Sequence, residues 1–210
     1  PYIERADTLV SYLQSFPEIE NVQPAIEGQV MIQTSEEVSG TILKGVSVDG
    51  GVSKLQDYVT EGTYDLRTQP NGMPGVVIGA KLARQLTAKV GDIITVFTVD
   101  GVPSLVNSPE IQQFQLTGIY QTGIDQFDNV YALVERSYVR KLFKLADNQA
   151  QGIELQIKDI KKIDEFEEKL NEKINFPYFT ESIFTKFANI FAWIELQENM
   201  IPLVISVMII

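Results

Sequence analysis

Neither cysteine nor histidine occurs among the 210 residues. Their absence removes disulfides, thiolate nucleophiles, imidazole bases and the usual zinc or copper ligands together. A cysteine-free chain suits an oxidising compartment and equally many bacterial cytosolic proteins, so it does not decide the compartment. Positive charge is also scarce: 17 Lys and Arg stand against 28 Asp and Glu, a net charge of −11. No cluster of basic residues breaks that balance locally, which argues against nucleic-acid binding and against a resting association with anionic lipid headgroups. A long hydrophobic run is missing too. The most apolar stretch, "MIPLVISVMII" at 200–210, is eleven residues long, whereas a transmembrane helix needs about 20.

What is present is the composition of a folded protein, 44 % hydrophobic and 21 % charged, in a chain long enough to bury a proper core. One compact body with two lobes is expected. The sequence starts at Pro1 with no initiator Met and no signal-peptide pattern, so we expect a piece of something longer. The apolar end then reads as the first half of a membrane span; the alternative is a buried terminal helix or strand.

Hydrophobic spacing gives a run of elements. Ile3, Leu9, Val10, Leu13 and Phe16 form one face of a helix stopped by Pro17. "AIEGQVMIQT" (25–34) alternates as a strand, and "TILKGVSV" (41–48) pairs with it through the polar "SEEVSG" turn. Residues 50–75 are rich in Gly, Pro and Asn and read mostly as loop. A strand at 76–78, a helix at about 79–88, a Gly-Asp turn and a strand at 93–99 follow. Further strands lie in "FQLTGIYQTG" (114–123) and "VYALV" (130–134), the latter followed by a helix carrying Tyr138, Val139, Leu142 and Phe143. "GIELQIKD" (152–159) alternates again, and Ile160, Ile163, Phe166, Leu170 and Ile174 make a helical stripe. Residues 182–198 place Ile183, Phe184, Phe187, Ile190, Phe191 and Ile194 at helical spacing just before the apolar end, with Trp193 near the junction. An amphipathic helix feeding an apolar one is how a chain nears a bilayer from the water side. The expected fold class is therefore α+β: a discontinuous lobe of 1–48 and 150–190, a β-rich lobe of 49–149 inserted in it, and an amphipathic approach to the membrane at 191–210.

Motifs for chemistry are missing. The chain contains no G-x-S-x-G, S-x-x-K, Walker A or G-x-G-x-x-G. Asp125, Asp128 and Asn129 in "TGIDQFDN" could offer oxygens to a hard cation, but they lack calcium-loop spacing, and turn formation is the better reading. Glu36 with Glu37, or Glu61 with Asp65, could serve as a glycosidase acid and base only across a cleft of defined width. Among 28 acids such pairs arise by coincidence. One connection stands out. "DGVPSLVNSPEI" (100–111) sets Val102, Leu105 and Val106 between Pro103 and Pro109, too long for a tight hairpin and apolar where a loop is usually polar; long loops in compact domains tend to be functional or disordered.

"VVIGAKLARQLTAKVGDIITVFT", "FQLTGIYQTGIDQFDNVYALV", "LFKLADNQAQGIELQIKD" and "IFAWIELQENMIPLVISVMII" occur in that order over 76–210. Together they resemble the LolC/LolE-type permeases of ABC transporters, with the N-terminal third a looser match. The resemblance implies a periplasmic domain between the first two membrane helices of an inner-membrane permease, with the two-lobed MacB-like fold and structural turn residues at Gly79, Gly91 and Asp92. It implies no catalysis and no cofactor in the domain itself, ATP being bound by a separate cytoplasmic ATPase subunit. The partners it implies are that ATPase, a second permease copy or paralogue, lipoprotein cargo and a periplasmic lipoprotein chaperone, with the membrane reached through flanking helices. The loop at 100–112 sits where LolC-like members carry a hook for the chaperone, which nominates Val102, Pro103, Leu105 and Val106 by position. A MacB-like export permease with other cargo, or a free-standing acidic hydrolase, are the alternatives. The resemblance leaves a LolC-like or LolE-like role open.

Overall fold

The computed structural model describes residues 2–49, 51–52, 54–98, 109–174, 178–192 and 196. By internal contacts the chain divides into residues 1–156 and 157–210, each described by itself.

The first unit opens with α1 (Ala6–Gln14), which buries Ala6 and Leu13. It ends before Pro17, whose missing N–H and ring bar a further turn. β1 (Ile19–Gln33) and β2 (Val38–Val46) follow and pair antiparallel from Ile26↔Gly45 to Gln33↔Val38. β3 (Val59–Gly62), β4 (Gly75–Gly79), α2 (Ala80–Gln85) and β5 (Ile93–Thr98) come next. They lead into β6 (Ile111–Tyr120), α3 (Asp125–Asp128), β7 (Tyr131–Glu135), α4 (Arg136–Leu142) and β8 (Gly152–Ile157).

All eight strands belong to one mixed sheet in the order β2-β7-β4-β6-β5-β1-β8, with β3 on β6, and β2 also pairs with β1. The pairings β1–β2–β7–β4–β6–β5–β1 therefore close on themselves, which leaves those six strands without a free edge to template aggregation. Alternate side chains from the ring form the main core, including Ile26, Ile32, Leu43, Ile78, Ile94 and Phe114, with Leu82 and Leu86 from the α2 region and Val139 and Leu142 from α4. A fully buried side chain of this kind contributes about 1.5–3 kcal/mol. The opposite face of β2, β7, β4 and β6 carries a second cluster of Val46, Leu133, Val77 and Tyr120, capped by Leu66 with Leu55, Val59 and Tyr64 packed on it. The stretch that reads as loop in the sequence is thus the cover of a small core.

β8 lies beside β1, and Ile3 bridges Ala150, so the two ends of this unit meet. β1 and β2 share their sheet with β4 to β7, and the expected division into 1–48 with 150–190 and 49–149 does not coincide with the two contact units.

In the second unit, α5 (Ile163–Lys173) has Phe166 and Leu170 buried. α6 (Ile183–Lys186) is capped by the Ser182 side chain, which accepts from Thr185 N. Of the helix expected over 182–198, residues 183–186 and 188–192 are helical on either side of a turn at Phe187, and 193–195, 197 and 198 lie outside the described residues. Among the described residues no helix is long and apolar enough to cross a membrane. The 200–210 stretch lies outside them.

Candidate interaction site

The connection singled out by its apolar residues springs from the end of the β5–β6 pair. β5 and β6 run antiparallel from Ile93↔Gln115 to Phe97↔Ile111. Their last rung is clasped twice: Thr98 N donates to Glu110 O at 3.1 Å and Glu110 N donates to Thr98 Oγ1 at 3.1 Å. Lys144 Nζ adds an ion pair to Glu110 Oε1 at 2.9 Å. A loop leaving such a base has fixed roots. Val102, Pro103, Leu105 and Val106 themselves lie outside the described residues.

Beside these roots runs an apolar row invisible in any single strand. Met31 of β1 pairs with Phe97 of β5, and Phe97 with Ile111 of β6. Paired residues point to the same face of a sheet, so the three side chains stand in line on the face away from the main core. Met31 and Phe97 are half-buried and Ile111 is 63 % exposed. The strand alternation signals each residue singly, but the register that aligns them is not in the sequence.

Gly91 has φ +102°, a backbone few other residues adopt; its N–H donates to Leu116 O at 2.7 Å. Asp92 closes the same turn, its Oδ2 accepting from Lys89 N at 2.7 Å. Gly79 is in ordinary extended backbone, and its need is space: a Cβ there would lie 2.2 Å from the carbonyl oxygen of Asp128. All three residues shape β4, α2 and β5, which position the β5–β6 pair.

Asp128 is buried. Its carboxylate accepts from Thr122 N and Thr122 Oγ1, both at 2.8 Å, and from Gly123 N at 3.1 Å. The Asp128 carboxylate is committed to its own turn and Asp125 pairs with Lys81 at 2.6 Å, while the Asn129 Oδ1 is buried with no hydrogen-bond partner among the described residues. Among the described residues no group of three or more acids could hold a metal ion. Glu36, Glu37 and Glu61 are exposed, and Asp65 pairs with Arg67 at 2.8 Å. None of the four lines the open cavity of about 460 Å³ formed by residues that include Asn21, Gln23, Ser47, Asp49 and Arg136.

A polar network borders that cavity. Arg136 Nη2 donates to Gln23 Oε1 at 3.2 Å, Gln23 Nε2 donates to Glu154 Oε2 at 2.9 Å, and Glu154 pairs with Lys44. Burial works against the Lys44 ammonium, but Glu154 more than offsets it and the pKa ends above the ordinary lysine value. Burial, with Arg140 nearby, draws Arg136 below its ordinary value. The network ties β8 and α4 to β1 and β2, a structural role that sequence spacing could not signal because its members lie 110 to 131 residues apart.

Residues 2–173 match the MacB-like periplasmic core domain. The chain belongs to that family. Within it, the chain is 27 % identical over 169 residues to the "lipoprotein-releasing system transmembrane protein LolC" of Neisseria meningitidis serogroup B, an alignment covering 75 % of this chain and 39 % of the relative. It is 25 % identical over 162 residues to the corresponding LolE of Haemophilus influenzae, covering 76 % and 38 %. The chain thus spans about two fifths of the length of these relatives. The periplasmic region of MacB from Actinobacillus actinomycetemcomitans superposes with a TM-score of 0.51 at 13 % identity, over 80 % of this chain and 72 % of that one. This likeness places the α+β fold beside that of MacB. The extracellular domain of the ABC-type transporter YknZ gives 0.48 at 16 % identity, over 80 % and 83 %.

Proposed function

We propose that this MacB-like core domain is the periplasmic part of a lipoprotein-releasing ABC permease in the bacterial inner membrane. In this reading a cytoplasmic ATPase subunit binds and hydrolyses ATP, and a second permease copy or paralogue completes the membrane pair. Closure driven by ATP passes through the membrane helices to the domain, which helps lift lipoprotein from the membrane and hand it to a periplasmic chaperone. The domain itself performs no chemistry and holds no cofactor.

The observation that carries the reading is the clasped base of the β5–β6 pair. Its ends, Thr98 and Glu110, flank Val102, Pro103, Leu105 and Val106 in the sequence, and the Met31–Phe97–Ile111 row runs beside those ends. A partner that shields acyl chains has apolar surface to offer to such side chains. The choice of lipoprotein as cargo is supported by the names of the LolC and LolE relatives.

The test is capture of purified periplasmic lipoprotein chaperone by the chain, wild type against Leu105→Asp and Val106→Asp. We expect capture by the wild type and a loss of at least tenfold in affinity for each variant, since a charge in an apolar contact strands an unpaired ion. No capture, or capture indifferent to the substitutions, overturns the loop assignment and favours export of a different cargo.

A further inference from the structure

The second unit carries a surface that neither the loop nor the ring explains. Phe179 is 80 % exposed, and Tyr178 beside it and Ile183 are 43 % and 47 % exposed. These side chains are held out by a pinned backbone. Thr180 N donates to Asn171 Oδ1 at 2.8 Å and Ser182 N donates to Glu167 Oε2 at 3.1 Å, both acceptors lying on α5. Aromatics free to choose fold back on the nearest apolar surface; here the segment that bears them is fastened on the C-terminal side of the pair, so their exposure is built in.

We propose that residues 178–191 form an interfacial foot that beds into the boundary between headgroups and acyl chains of a lipid bilayer. The inference rests on the periplasmic-permease reading above and adds to it a second, membrane-facing surface. Three observations choose a bilayer over a protein partner. The segment "YFTESIFTKFANIF" holds one Tyr, a residue enriched at membrane–water interfaces, and four Phe, which interfacial segments carry on their apolar face. Its only charges are Glu181 and Lys186, so it is neutral within a chain of net charge −11 and is not repelled from lipid as the rest is. It also lies a few residues before 200–210, which carries no charge, so the surface and the most apolar stretch of the sequence call for the same medium.

The experiment is co-flotation of the full chain with phosphatidylcholine vesicles, read together with the emission of Trp193, the single tryptophan. Wild type is compared with the double variant Tyr178→Ser, Phe179→Ser and with the exposed aromatic control Tyr58→Ser, which lies outside both proposed surfaces. All positions are exposed, and circular dichroism confirms that each variant folds. We expect the wild type to float with blue-shifted emission, the double variant to partition at least about tenfold less, and the control to match wild type. A double variant that floats like wild type overturns the foot, because 200–210 then suffices, and so does a wild type that stays in the aqueous fraction. Chaperone capture, measured on the same proteins, separates this from the reading beneath it. Lost flotation with retained capture supports the foot; retained flotation with capture abolished by Leu105→Asp removes the foot alone.

Discussion

Tyr64 and Tyr120 belong to the same small core, but their hydroxyls differ. Tyr120 donates to Phe127 O at 2.8 Å and contacts Tyr131 O at 3.3 Å, whereas the buried Tyr64 hydroxyl has no hydrogen-bond partner among the described residues. A buried hydroxyl left unpaired costs free energy, and one that is paired returns about 1 kcal/mol. Chemical denaturation should therefore show Tyr64→Phe neutral to about 1 kcal/mol more stable, and Tyr120→Phe about 1–2 kcal/mol less stable. Burial also pushes the Tyr64 pKa up to about 12, above the ordinary value near 10. The unfolded chain then loses its proton first. This contribution to stability is complete below about pH 10 and falls away as pH rises toward 12. Tyr64→Phe should flatten that part of the alkaline stability curve. Nothing in the sequence distinguishes the two tyrosines, because both sit among apolar residues and only the fold decides which carbonyls each hydroxyl meets.

At the scale of elements, most of the fold is legible in the sequence. The helix before Pro17, the β1–β2 pair through its polar turn, the β4–α2–β5 run and the strands β6, β7 and β8 all follow from period 2 or 3.6 and from turn residues. Two departures have clear causes. β1 starts at Ile19, six residues before the alternation becomes regular, because Pro24 and the consecutive buried pair Val22 and Gln23 disrupt the pattern. β3 leaves no signal, as only Val59 of its four residues is even half-buried. The element that depends most on residues distant in sequence is β8, held to β1 and β2 through Glu154. Glu154→Ala should cost about 2 kcal/mol by leaving the largely buried Lys44 without its counter-charge. Replacing both partners by Lys44→Met and Glu154→Leu should recover most of that loss, a double-mutant cycle that separates the pair from its burial.

Across the whole molecule, the sheet and both core clusters are complete within the first 157 residues. A chain of residues 1–158 should accordingly unfold cooperatively by itself, with near-native circular dichroism; a molten, non-cooperative product would show that the second unit is needed for folding. The candidate site was only half legible. The loop declares itself by Val102, Leu105 and Val106 set between prolines, but the Met31–Phe97–Ile111 row exists only through cross-strand register. The spacing predicts a helix stripe over 182–198, but the exposure of Tyr178 and Phe179 before it goes with bonds to Asn171 and Glu167 that no local pattern contains. On the proposed reading, loop, row and foot make a domain that works by presenting surfaces.

The most direct test of that account is reconstitution of the complete permease with its ATPase in proteoliposomes carrying a lipoprotein, followed by transfer to added chaperone. The account predicts ATP-dependent transfer by wild type, and transfer lost in Leu105→Asp, Val106→Asp while ATP hydrolysis continues. Transfer undiminished by the loop substitutions, or no lipoprotein movement with any ATP supply, would contradict it.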